Sequence, residues 1–320
     1  MKWFVLAMLS GVVLFANLAS AAGAPIQVLL LDGESGGPWH NWKLTTPILQ
    51  KELEETGLFQ VTVLSAPDSK MGFSDFKPDF TRYQVVVLNY DAPDWPADLQ
   101  QKFEAYVGNG GGLVVVHAAD NAFPNWPAFN LMTGIGGWRN RNQTAGPMWY
   151  FNNGKLVSDT SAGSAGSHGN RLPFLVTTRQ PAHPIMKGLP AAWMHATDEL
   201  YATLRGPGKN MTVLATAHSD PNNKGTGHDE PMLMVVDFGK GRVFHTTLGH
   251  DPVALSCVGF IATFQRGAEW AATGRVTQKV PQGFPTGNTV SYRADIASMD
   301  PAVAKGTGVT ATPLPKPAER

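Results

Sequence analysis

The residues best suited to chemistry in this 320-residue sequence are histidines that close apolar runs. His117 follows LVVV at 113–116, and His250 follows the run 243–248, with Asp251 beside it as an acid able to orient its ring. Imidazole offers a proton acceptor near neutral pH or a lone pair for a metal. Two such rings at strand ends begin a site for one divalent cation, zinc or manganese, that needs at least a third ligand. Glu199 is the first candidate for that ligand, with His40 and His168 behind it. His117, Glu199 and His250 are therefore the candidate catalytic residues and the candidate metal ligands together. A core histidine bonded to backbone is the competing reading for His117, because no H-x-H or H-x-x-x-H pair fixes a ligand spacing.

Asp198 and Glu199 are adjacent, so on extended chain they face opposite ways and only one enters a site. Either Glu199 serves as ligand or acid/base with Asp198 pairing behind it, or the reverse; Tyr201 shares the face of Glu199. His183 stands before Pro184, which enforces extended backbone, and it reads equally as a turn-former and as a substrate contact. Trp39, Trp42, Trp126, Trp138 and Trp149 lie outside periodic runs. Indole there suits stacking on the apolar face of a sugar ring, or anchoring of the loop against a sheet. The candidate substrate contacts are His40, Trp42, Asp120, Trp126, His183 and Tyr201. His228 beside Asp229 and Glu230 reads as a solvated turn.

Short apolar runs position these groups. IQVLLL at 26–31, FQVTVL at 59–64, VVVL at 85–88 and LVVV at 113–116 alternate with helical spacing at 45–57, where Pro47 falls in the first turn, and at 96–107. Strands alternating with helices predict βαβ units and a mostly parallel α/β sheet flanked by helices, whose ligands gather at the carboxyl ends of the strands. Those ends are Asp32, Asn89 to Asp91, and His117 to Asp120. Further strands are expected at 172–177, 212–217 and 231–236, the last paired with 242–247 across 237–241, and a final helix at 257–273. The segment 134–169 is too long for an ordinary connection and is either a lid or a loop-rich excursion carrying short strands.

Composition narrows the partners. Lys and Arg number 25 against 25 Asp and Glu, and charged residues make up 16% of the chain, below the roughly 25% of an average soluble domain. A neutral, charge-poor chain lacks the basic field that nucleic acid or an anionic membrane requires, so a small-molecule ligand is expected, with homo-oligomerisation left open. One cysteine, Cys257, allows neither an internal disulfide nor a thiolate cage. Lys2, an apolar run at 4–15 and Ala19-Ser20-Ala21 form a secretory leader pattern, with cleavage after Ala21 and a periplasmic or secreted mature protein. The apolar run is too short to span a bilayer. Residues 276–320 read as an extended or disordered tail, most clearly in the Pro-rich stretch from 301 onward.

Five blocks occur in order over 26–275: GGGLVVVHAADNAF at 110–123, HPIMKGLP at 183–190, DELY at 198–201, PMLMVVDFGKGRVFHTTLGH at 231–250 and GAEWAATG at 267–274. Together they resemble the trehalose-utilisation (ThuA-like) family. The resemblance implies a flavodoxin-like fold similar to that of class I glutamine amidotransferases, no nucleotide cofactor, and a role in cleaving sugars already oxidised to a ketone at C3. Its mechanism would be proton abstraction at C2, elimination of the anomeric substituent and hydration. His117 and His250 would then stand at the metal or enolate, Glu199 as ligand or acid/base, with His40 and Asp120 as accessory contacts. One departure is Asn41, where the family's first loop commonly carries an acid beside its histidine. The alternative expectation is a non-catalytic periplasmic carbohydrate-binding protein. Amidotransferase chemistry is excluded, because the strand-to-helix turn that would carry the nucleophilic cysteine reads His117-Ala118-Ala119 and Cys257 lies far downstream.

Overall fold

In the computed structural model, which describes residues 23–301, the apolar runs become the middle of one mixed sheet. The first half alternates strand and helix: β1 (Ile26–Asp32), α1 (Trp42–Glu54), β2 (Phe59–Ser65), β3 (Val85–Leu88), α2 (Ala97–Gly108) and β4 (Gly112–Val116). The second half contains α3 (Pro127–Thr133), the hairpin β5 (Met148–Asn152) and β6 (Lys155–Asp159), then β7 (Leu172–Thr178), β8 (Ala192–Asp198), β9 (Met211–His218), β10 (Asp229–Phe238) and β11 (Gly241–Thr246). α4 (Pro252–Leu255), α5 (Val258–Thr273) and α6 (Ala294–Ala297) follow. The sheet order is β2-β1-β3-β4-β11-β10-β9-β7-β8, with β5 attached to β10 and β6 to β5.

The expectation of a mostly parallel sheet is corrected. β2, β1, β3, β4 and β11 run parallel, but every pairing from β11 through β10, β9 and β7 to β8 is antiparallel. The physical reason is the Gly239-Lys240 turn: a two-residue connection can only join antiparallel neighbours, and Gly239 supplies the positive φ of 60° there. The connections that link β7, β8, β9 and β10 likewise carry no α-helix to make a parallel crossover.

The strand side chains alternate between two helical layers. Leu30, Val87 and Val114 pack with Leu49 of α1 and Phe264 of α5. Leu31, Val86 and Val115 pack on the other face with Phe103 of α2 and Phe129 of α3. The chain's midline is thus dry on both faces, which is why β1, β3 and β4 read as unbroken apolar runs.

Two further expectations change, and one open alternative is resolved. α1 starts at Trp42, with the Asn41 carbonyl accepting from the Leu44 and Thr45 amides, so Pro47 sits inside the helix rather than in its first turn. There it removes one internal donor. Residues 276–301 are neither loose nor helical throughout; Val276, Val280, Phe284 and Val290 pack on the core and Ile296 is fully buried. The segment 134–169 carries the β5–β6 hairpin, closed through Asn153 and Gly154, both at positive φ. The leader at 1–21 and the tail beyond 301 lie outside the described residues. Among the described residues no helix is long and apolar enough to cross a membrane.

One core acid gives a stability prediction. Glu230 on β10 is buried, accepts from the Thr226 hydroxyl at 2.6 Å, and is pushed up to about 7 mainly by burial. A raised folded-state pKa means the folded protein keeps a proton that the unfolded chain releases above about pH 4.5, so stability falls as pH rises from there to about 7. Glu230→Gln is expected to match the wild type near pH 4 and to exceed it by about 2–3 kcal/mol at pH 8. Urea unfolding at both pH values measures this, and equal stability at pH 8 would contradict it.

Candidate functional site

The carboxyl ends of the parallel strands and the loop after β8 bring four separated residues to one point. His40 comes from the loop between β1 and α1, and His117 immediately follows β4. His250 lies beyond β11, and Glu199 is the first residue after β8. One ligand atom from each lies within 4.8 Å of the others. The rings of His40 and His117 are 5.1 Å apart, those of His40 and His250 4.9 Å, and those of His117 and His250 5.4 Å, all edge to face.

Local backbone explains each position. His117 takes a φ of +47°, a left-handed turn that lifts its ring off the end of β4. Its Nδ1 donates to the Thr247 carbonyl at 2.6 Å on the neighbouring strand end, which leaves Nε2 bare. Tyr201 lies over the same ring at 4.2 Å, and its hydroxyl donates to His40 Nε2 at 3.3 Å. His250 Nδ1 is 3.2 Å from Glu199 Oε2, too poorly aligned for a hydrogen bond. His117 Nε2 and His250 Nδ1 are thus both buried with no hydrogen-bond partner among the described residues.

Asp198 fixes two of the four. Its carboxylate accepts from the backbone amides of Glu199 at 2.8 Å, Gly249 at 2.8 Å and His250 at 3.1 Å, and from His195 Nε2 at 2.8 Å. Glu199 therefore faces the histidine cluster while Asp198 pairs behind it. Asp251, expected to orient His250, instead caps α4 through the Val253 and Ala254 amides and pairs with Arg171.

Electrostatics follow from crowding. Burial, then the nearby rings, holds His40 down at about 4 and His117 at about 3, so both are neutral. Burial alone would lower His250, yet the Glu199 carboxylate raises it; burial would raise Glu199, and the surrounding histidines hold it down. Burial also pushes Asp91 up to about 6 despite its contact with Arg139. Burial likewise keeps the Tyr201 hydroxyl protonated.

A cavity of about 680 Å³ opens above the cluster, lined among others by Trp39, His40, Trp138, His168, Glu199 and His250. His168 is outside the four-residue group; its Nε2 is 3.8 Å from Glu199 Oε1. Several expected contacts are not here. Trp126 is 1% exposed and packs among Phe103, Phe123 and Phe129, because it caps the start of α3 with its ring turned into the core. Trp42 opens α1 with its ring under the Lys43 ammonium, away from the cavity lining. His183 packs against Trp270 at 5.1 Å in a turn braced by Arg266. Asp120 is fully buried, 3.2 Å from His245 Nε2, and so cannot meet a ligand. Trp149 lies on β5, not in a loop, and donates through Nε1 to the Gly206 carbonyl. Asn41, the departure in the first loop, is exposed at the helix start and does not line the cavity. Residue type alone missed Arg139; Asp91 was signalled only by its place just past β3.

The comparisons agree with this architecture. A family model described as ThuA, trehalose utilisation, matches residues 27–271. Among solved structures, a ThuA-like protein from Parabacteroides merdae is 47% identical, with 85% of this chain and 99% of that chain covered and a TM-score of 0.82. A ThuA-like protein from Bacteroides uniformis is 20% identical over 82% of this chain and 97% of that chain, with a TM-score of 0.53. No curated protein matches. With the family's model spanning the sheet from β1 to α5 and a near-full-length relative at that identity, the chain belongs to the ThuA, or trehalose utilisation, family.

Proposed function

We propose that this protein cleaves 3-keto-glycosides with the help of one divalent cation held by His40, His117, His250 and Glu199. The observation that carries the reading is the convergence of those four donors at the floor of a tryptophan-lined cavity, with two buried nitrogens that make no hydrogen bond among the described residues. Three imidazoles and a carboxylate suit zinc or manganese. Such a cation would supply positive charge where the carbonyl oxygen at C3 becomes negative.

The remaining steps belong to the chain. His168 donates through Nδ1 to the Gly169 carbonyl at 2.8 Å, leaving Nε2 as proton acceptor on the open side of Glu199. It takes the proton from C2, which the ketone acidifies. The C1–O bond then breaks, its electron pair leaves on the aglycone oxygen, and that oxygen takes up the proton that His168 removed from C2. Water adds across the resulting C1–C2 double bond, giving a free keto sugar. Tyr201 packs on His117, and its hydroxyl, which meets His40 Nε2 in this structure, would release that nitrogen to the cation, while Trp39 and Trp138 offer faces for sugar rings. The leader read at 1–21 puts this chemistry in the periplasm or outside the cell.

The test is metal analysis with turnover. Purified protein loaded with zinc or manganese is expected to hold one ion per chain and to release glucose and 3-keto-glucose from 3-keto-trehalose, with activity lost on chelation. Sugar binding with neither metal nor turnover would favour the carbohydrate-binding alternative.

A further inference from the structure

Of the four donors, His40 lies in mid-loop, well past the end of β1, and Trp39 before it is 73% exposed and gives it no anchor in the core. The base of that loop is held by one residue that takes no part in the steps above. Asp91, just beyond β3 and 6% exposed, accepts from the Gly36 amide at 2.8 Å and donates its own amide to the Glu34 carbonyl at 3.0 Å. Its carboxylate is packed directly on Gly36: a Cβ there would lie 2.0 Å from Oδ2, and the φ of +71° also favours glycine. The other oxygen, Oδ1, accepts from Arg139 Nε at 2.6 Å.

Ser35, between those contacts, passes the anchorage on. Its carbonyl meets His40 Nδ1 at 3.3 Å, and its hydroxyl accepts from the Trp42 amide at 3.3 Å where α1 begins. A carbonyl only accepts, so Nδ1 carries the ring proton and Nε2 is the nitrogen turned to the cluster. Arg139 reaches Asp91 from a strained turn. Trp138, Arg139 and Asn140 have φ of +49°, +46° and +63°, and the Arg141 amide closes on the Trp138 carbonyl at 2.8 Å. Three successive non-glycine residues in the left-handed region persist only where their surroundings enforce it. Arg141 supplies that enforcement by donating to the carbonyls of Asn121 at 2.7 Å and Gly137 at 2.8 Å.

We infer that Asp91 is a positioning residue that sets His40 for the cation, braced by the left-handed turn at 138–140. The assignment rests on the proposed metal centre and names what fixes the donor that no strand end supports. The path runs from the carboxylate to Gly36, through the Ser35 carbonyl, to the imidazole. Outer partners that orient a histidine ligand typically contribute about 10–100-fold to metal affinity.

The test is a double-variant cycle read as zinc affinity by chelator competition. Asp91→Ala, which takes the carboxylate from under Gly36, is expected to weaken zinc binding by about tenfold in the otherwise wild-type protein and by less than about twofold where His40→Ala has already removed the ligand. Asp91→Asn keeps the side chain's shape against Gly36 and an oxygen for Arg139, and it is expected to restore affinity close to that of the wild type. If Asp91→Ala does not fold, Gly36→Ala is measured in the same two backgrounds, since its methyl group would push the loop base off the carboxylate. An equal loss with and without His40 would mean that Asp91 supports the scaffold rather than one ligand. That result, or full affinity in Asp91→Ala, overturns the assignment and leaves the metal centre intact. A wild type that holds no zinc removes the metal centre itself and the role of Asp91 with it.

Discussion

The His117→Asn protein is expected to fold and to lose divalent-cation binding by more than about 100-fold, with turnover of 3-keto-trehalose falling at least as far. Asparagine is chosen because the backbone here has a φ of +47°, which asparagine tolerates better than alanine, and because its amide can still donate to the Thr247 carbonyl. The substitution therefore removes the bare Nε2 while sparing the turn. Dialysis against zinc followed by elemental analysis measures the first effect, and thermal unfolding checks the fold. If the variant kept its metal, His117 would be a packing residue under Tyr201 and the centre would have to rest on the remaining three donors. If it unfolded, the Thr247 and Tyr201 contacts would be the residue's main business.

What the sequence makes legible follows from the physics of each element. β1, β3 and β4 are buried on both faces, so hydrophobicity alone delimits them to within a residue. β8 escapes that test: AWMHATD interrupts its apolar positions with His195 and Asp198, which are buried because they satisfy each other. β7 and β9 are legible as strands, but an antiparallel direction can be read only where a short turn exposes it, as between β10 and β11 at Gly239-Lys240. His117 and His250 are visible because strand ends in such folds gather ligands, but Asp91 and Arg139 meet through a left-handed loop at Trp138, Arg139 and Asn140 that no local pattern announces. Trp126 misleads for the opposite reason. Its flanking Asn125 and Pro127 look like loop, yet Pro127 opens α3 and turns the indole inward.

Asp198→Asn is expected to cost about 3–5 kcal/mol of stability and, in the protein that remains folded, to weaken cation binding by about 10–100-fold. Burial works against charge on Asp198 and His195, but their 2.8 Å contact, the amides on the carboxylate and Cys257 beside the imidazole outweigh it. Asp198 is held down to about 2, and His195 is raised. An amide in that place keeps the shape and loses the charge, and its NH₂ must face one of the donors that the carboxylate satisfied: His195 Nε2 or the amides of Glu199, Gly249 and His250. Gly249 is packed closely against Leu255 and Phe260, which limits how far its amide can move away. The strain therefore passes to Glu199 and His250, the two donors that Asp198 orients. Urea unfolding at pH 7 measures the stability loss, and zinc titration of the folded variant measures the second effect. A loss below about 1 kcal/mol would mean that the pair is not ionised. Full zinc affinity in a destabilised variant would mean that Glu199 and His250 are placed by the sheet alone.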